Sequence, residues 1–233
     1  MKKLILTTMA VGAMGLTQAF GLLITMGASN SGPGNYQATP LGEFSSVLDN
    51  YAAGAKNTTQ FGTFCLERNE FFTPGSTVLQ VELSLHAKAG GNGGPYESLP
   101  GGGVGDPISK GTAELYRLFA TGQLNSVIAG YSYSSGSAND ELQNAFWRLE
   151  GETPVDNDNV YFDWIEANVA NFADNYDGTS IRVMNLTHRD SAGAIVNKQD
   201  QLVYLGVPDG GMTLALLGLG LAGLATIRRR FMA

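Results

Sequence analysis

The stretch Val78-Leu-Gln-Val-Glu-Leu-Ser-Leu-His-Ala87 sets Val81, Leu83 and Leu85 against Glu82, Ser84 and His86 in alternation. Successive side chains of an extended chain point to opposite faces, so period two over this length predicts a strand with one buried face. Phe61 to Leu66, Ser180 to Leu186 and Gln201 to Leu205 are shorter stretches of the same kind, and Phe20 to Met26 reads as a strand that begins the mature domain. Between residues 90 and 105, eight glycines and two prolines predict a long loop with no regular element. Helical spacing recurs in Thr112 to Phe119, in Glu141 to Leu149 and in Val160 to Phe172, the last with Asp158 or Asn159 as its N-cap. The expectation is a mainly β domain, sandwich- or barrel-like, with a small helical insertion at about 109–175, hence α+β.

A chain of 233 residues holds one sizeable domain or two small ones. Its 43% hydrophobic content excludes a wholly disordered polymer, and its 31 glycines show no three-residue period, which excludes collagen. Formal charge is −7. Setting aside Lys2, Lys3, Asp209 and the three terminal arginines leaves 20 acidic against 9 basic residues, so the central region lacks the positive face that nucleic acid requires.

Lys2 and Lys3 precede an uncharged, largely apolar run from Leu4 to Leu16 and then Thr17-Gln18-Ala19. A basic start, a short apolar segment and small residues at a cleavage site describe a secretory signal peptide over residues 1–19, cut after Ala19 or at Ala28. At the other end Val207-Pro208-Asp209-Gly210-Gly211 leads into the apolar run Met212 to Ile227 and then Arg228, Arg229 and Arg230. Sixteen residues of helix span about 24 Å, enough to cross a locally thinned bilayer. Three arginines directly after it stay cytoplasmic and place the preceding chain outside.

This tail resembles the PEP-CTERM sorting signal of Gram-negative bacteria, in a VPDGG-type form that spans residues 207–233. The resemblance implies a partner, exosortase, which cuts near the motif, so the protein is transiently single-pass in the inner membrane before release to the cell surface or beyond it. A permanent anchor is the alternative.

Cys65 is the only cysteine in a chain addressed to an oxidising compartment, so it has no intrachain disulfide partner. It is buried and inert, paired between chains, or committed to other chemistry. Phe64-Cys65, followed by Gln143-Asn144-Ala145-Phe146-Trp147, resembles the thioester domains of bacterial surface adhesins. In that family an aromatic-Cys motif on a strand meets a Thr-Gln-x-Ala-aliphatic-Trp motif on a helix. Leu142 stands where the family has Thr, and Phe146 at the aliphatic position. The resemblance implies that Cys65 and Gln143 condense to an internal thioester that an amine-bearing surface or matrix component then opens. Phe64, Ala145, Phe146 and Trp147 are its surroundings. Such a protein transfers one acyl group without turnover and is not an enzyme.

The residues allow plainer readings. A helix starting at Asp140 puts Gln143 in its first turn, where the partial positive charge favours an oxyanion, yet Asp140-x-x-Gln143 equally fits a capping box. Phe146 and Trp147 also suit a core. Pairing of Cys65 with His86 or His188 would make a thiol hydrolase, which nothing around Cys65 favours. Asp156-Asn157-Asp158-Asn159 fails as a calcium loop because Tyr161 and Phe162 occupy ligand and glycine places. No phosphate-binding glycine pattern occurs, Asn57-Thr58-Thr59 and Asn185-Leu186-Thr187 are sequons of little weight in a bacterial protein, and neither metal nor cofactor is implied.

Overall fold

The computed structural model describes residues 22–27, 35–41, 44–45, 51, 56–57, 59–68, 74–88, 97–98, 104–152 and 158–206. The proposed signal peptide and sorting tail lie outside them. Among the described residues, ten strands and four helices follow one another: β1 (Leu22–Gly27), β2 (Asn35–Leu41), β3 (Lys56–Asn57), β4 (Gln60–Phe64), β5 (Gly75–Ser84), β6 (His86–Ala87), β7 (Glu97–Ser98), β8 (Val104–Pro107), α1 (Lys110–Ala120), α2 (Leu124–Val127), α3 (Gly136–Leu149), α4 (Val160–Asn168), β9 (Ile181–Arg189) and β10 (Ile195–Tyr204). Mainly β architecture with the helices between 110 and 168 is the expected class. None of the described helices is long and apolar enough to cross a membrane.

Seven strands form one antiparallel sheet in the order β10-β9-β5-β1-β2-β4-β3. β5 is an inner strand between β9 and β1, and the alternation seen in the sequence holds over its middle, where Leu79 and Val81 are buried while Gln80 and Glu82 face solvent, but not over residues 83–86, which are all half-buried. The sheet curls until β4 meets β10. An isolated antiparallel bridge pairs Cys65 with Gln201, and the Leu66 N–H donates to Asp200 O at 3.1 Å. Elsewhere side chains span this seam. Thr63 Oγ1 donates to Leu202 O at 2.6 Å, and the Tyr116 hydroxyl lies 2.9 Å from Gly62 O and 3.0 Å from Leu202 O. Ile24, Met26, Phe61, Phe64, Leu115, Phe146 and Leu202 are among the buried residues of the single core that sheet and helices enclose.

Residues 90–105 depart from expectation. β7 pairs with β8, and β8 with β6, in a small second sheet, because backbone hydrogen bonding tolerates a glycine-rich connection when its two arms run antiparallel. Helix α2 was not legible, being a single turn. Helix α4 stops at Asn168, short of Phe172, and begins at Asn159, whose side chain accepts from the N–H of Tyr161 and of Phe162, both at 3.1 Å. The same side chain donates to Glu141 O at 2.8 Å, tying α4 to α3.

Helix α3 corrects the largest expectation. Its N-cap is Ser135, which accepts from Ala138 N–H at 3.3 Å, and it starts at Gly136 rather than at Asp140. Gln143 therefore sits mid-helix, where neither the positive helix end nor a capping box applies. Its spacing with Asn139, Leu142 and Phe146 puts all four on the buried face.

The C-terminus of α3 is fastened to the start of α1. Glu150, buried just past α3, accepts hydrogen bonds from Ser109 N–H at 3.1 Å and from Thr112 Oγ1. Gly111 permits this approach, since a Cβ there would lie 2.9 Å from Ile165 Cγ2 and from Leu149 Cδ2. Burial pushes the Glu150 carboxyl up to about 7, the two hydrogen bonds oppose that shift, and Asp106 adds to it. A carboxyl that holds its proton more tightly folded than unfolded destabilises the fold as pH rises through the interval between the two values. Stability should thus fall by about 3 kcal/mol between pH 4.5 and 7, and Glu150→Gln should flatten that slope in urea titrations at stepped pH.

Candidate functional site

Cys65 and Gln143, 78 residues apart, meet in the interior. The Cys65 N–H donates to Gln143 Oε1 at 2.9 Å, and Gln143 Nε2 donates to Cys65 O at 2.8 Å. Cys65 lies just beyond β4, at the seam. Its main chain pairs on one side with Gln201 and on the other with the carboxamide that α3 presents, which takes the place of one further strand residue. Both residues are buried, at 0% and 1% exposure. Buried main-chain groups are almost always hydrogen-bonded, so Gln143 is fixed there by the pairing that the strand itself demands.

Gln201 is a member of the site that sequence reasoning missed. Its Nε2 donates to Cys65 Sγ at 3.1 Å, and its Oε1 lies 3.4 Å from Thr63 Oγ1. The only available signal was polarity: Gln201 is a glutamine at the head of an apolar strand segment, Leu202-Val203-Tyr204.

Aromatic side chains wall the site. The Phe64 ring lies 4.9 Å from that of Phe146 and from that of Phe119, and 6.3 Å from Tyr116. Phe64, Ala145 and Phe146 are fully buried and Trp147 is 8% exposed. Trp147 turns to the other flank, where the Arg68 guanidinium carbon stands 5.8 Å from its ring centre. The buried cluster thus sets a carboxamide on the Cys65 main chain and a second amide on its sulfur. A surface groove of about 480 Å³ between α1 and α4, lined in part by Lys110, Arg117, Trp164 and Tyr176, includes none of these residues.

Residues 206–231 match the VPDSG-CTERM motif, Gly210 standing at the serine of the motif's name. The match supports a sorting signal of the PEP-CTERM type, and with it an exported protein processed by exosortase. No curated protein and no solved structure matches the chain.

Proposed function

We propose that the domain closes an internal thioester between Cys65 and Gln143, and that the exported protein uses it once to bond covalently to an amine-bearing surface or matrix component. The observation that carries this reading is the grip of the Cys65 main chain on the Gln143 carboxamide. A group held in place no longer loses translational freedom on reacting, which is worth about 7–11 kcal/mol in favourable geometries. The Cys65 N–H already points at Oε1, where negative charge develops when sulfur adds to the amide carbon. Gln201 Nε2 holds the sulfur in place. In closure the sulfur turns about the Cα–Cβ bond of Cys65 and bonds to the carbonyl carbon, the C–N bond breaks, and ammonia leaves with the thiol proton.

Ammonia takes with it the donor that served Cys65 O. A primary amine that later opens the thioester forms a secondary amide, whose trans form turns its N–H away from the edge that faces the Cys65 main chain, so the Cys65 carbonyl does not regain that donor. Phe64, Phe146 and Trp147 keep water from the bond in the interval. The chemistry is stoichiometric and needs no cofactor. Sorting completes the account: cleavage near Pro208 removes the apolar segment 212–227 and the arginines that hold it, freeing the domain from the inner membrane.

The same two hydrogen bonds also suit a non-reactive envelope protein of this fold, in which Gln143 only satisfies the Cys65 main chain. Methylamine separates the readings. Incubated with the native protein, it should appear as an N-methylamide on Gln143 in peptide maps, and Cys65→Ala should abolish the uptake. Unmodified Gln143 after prolonged incubation would leave the structural reading alone.

A further inference from the structure

The seam around Cys65 also concentrates buried polar side chains: Glu67, Glu152, Gln199 and Asp200 are 3%, 1%, 2% and 1% exposed. The β9–β10 register shifts between Lys198 and Gln201, placing Gln199 and Asp200 in a bulge. Bulges re-aim side chains and gather beside active sites. Asp200 is engaged by Asn185 Nδ2 at 2.9 Å and by the Lys88 N–H, and Glu152 accepts from the Arg68 N–H at 3.4 Å. Gln199 is engaged at one end only. Its Nε2 donates to Glu67 O at 2.7 Å, while its Oε1 is buried without a hydrogen-bond partner. Trp147 Nε1 and Arg68 Nη1 are likewise buried and unpartnered. Leaving a buried polar atom unsatisfied costs about 1–3 kcal/mol, and such atoms persist where a ligand supplies the missing partner.

Gln199 is two residues from Gln201, whose amide holds the sulfur, and Glu67 is two residues from Cys65. The Gln199 amide thus bridges to the main chain two residues beyond Cys65, which brings the two segments that flank the bond together. Trp147 and half-buried Arg68 stand at the solvent edge of the cluster.

Resting on the thioester reading, we propose that Glu67 and Gln199 form the seat of the incoming primary amine. Gln199 Oε1 accepts one of its N–H bonds, and the Glu67 carboxylate takes the proton that nitrogen must lose. The nitrogen bonds to the Gln143 carbonyl carbon, the C–S bond breaks with its electron pair on the Cys65 sulfur, and the proton passes through Glu67 to the thiolate. A primary amine fits because it brings two N–H donors to two acceptors while keeping its lone pair for the attack. The same carboxylate carries the thiol proton toward departing ammonia when the thioester first closes.

The test uses the mature protein with methylamine as probe, comparing wild type with Glu67→Gln and Gln199→Leu. Rates are read on the fraction already lighter by one ammonia, so incomplete closure does not enter. Both variants should take up methylamine at least tenfold more slowly, and Glu67→Gln should lose the acidic limb of the pH–rate profile, which a purely structural role would leave in place. Should Glu67→Gln not fold, Gln199→Leu carries the test, since it buries no charge and needs no partner. Wild-type rates and an unchanged profile would overturn the seat and leave the thioester standing. A wild-type protein of full mass that takes up no methylamine would overturn both.

Discussion

Gln143→Leu should leave the protein at its full mass and lower its unfolding free energy well below that of Cys65→Ala. Each variant loses the covalent link. Such a link closes a loop of nearly eighty residues and, by the chain-entropy argument used for disulfides, contributes about 4 kcal/mol. Cys65→Ala also strands Gln201 Nε2, whose acceptor is the sulfur, at about 1 kcal/mol, but keeps the main-chain bonds to Gln143. Gln143→Leu also strands the Cys65 N–H and C=O in the interior, at about 1–3 kcal/mol apiece. Part of this is recovered by the apolar surface of leucine and part is matched by the stranded Gln201 amide in Cys65→Ala, leaving about 1–3 kcal/mol between the variants in urea titrations. Equal stabilities would mean that the paired hydrogen bonds contribute nothing.

Phe64→Ala should cost about 3–5 kcal/mol, the usual range for emptying a fully buried aromatic site. Phe64 is the hub of the aromatic wall, in ring contact with Tyr116, Phe119 and Phe146. The cavity borders Phe146, which lies one helical turn from Gln143, so the variant should also hydrolyse its thioester faster than wild type, leaving Glu in place of Gln143 and a mass one unit above the unreacted chain. Differential scanning calorimetry reads the first effect, and mass spectra taken over days read the second. A loss of stability without faster hydrolysis would show that the wall supports the fold but does not keep the bond dry.

Sheet and site were unequally legible. The alternation around Val81 announced the inner strand β5 because Gln80 and Glu82 face water while Leu79 and Val81 do not. The last strand was only half seen: Asn197 to Asp200 are four polar residues in a row, and the bulge at Gln199 and Asp200 breaks the period that would have joined Ile195 and Val196 to Leu202. The start of α3 was missed because Gly136, Ser137, Asn139 and Asp140 are weak helix formers, held in the helix by the Ser135 cap and by packing of its later turns. Cys65 and Gln143 were named from short motifs. That the amide grips the cysteine main chain, and that Gln201 attends the sulfur, depends on the closure of the sheet between β4 and β10, a pairing across 136 residues that no local pattern encodes.

The mass of the intact native protein bears most directly on the central claim. Purified under non-denaturing conditions without amine buffers, the wild-type chain should be lighter than its sequence by one ammonia, and Cys65→Ala should match its sequence. A wild-type chain at full mass, with a Cys65 thiol that titrates once the protein is unfolded, would contradict the thioester and leave Gln143 a purely structural partner of the strand.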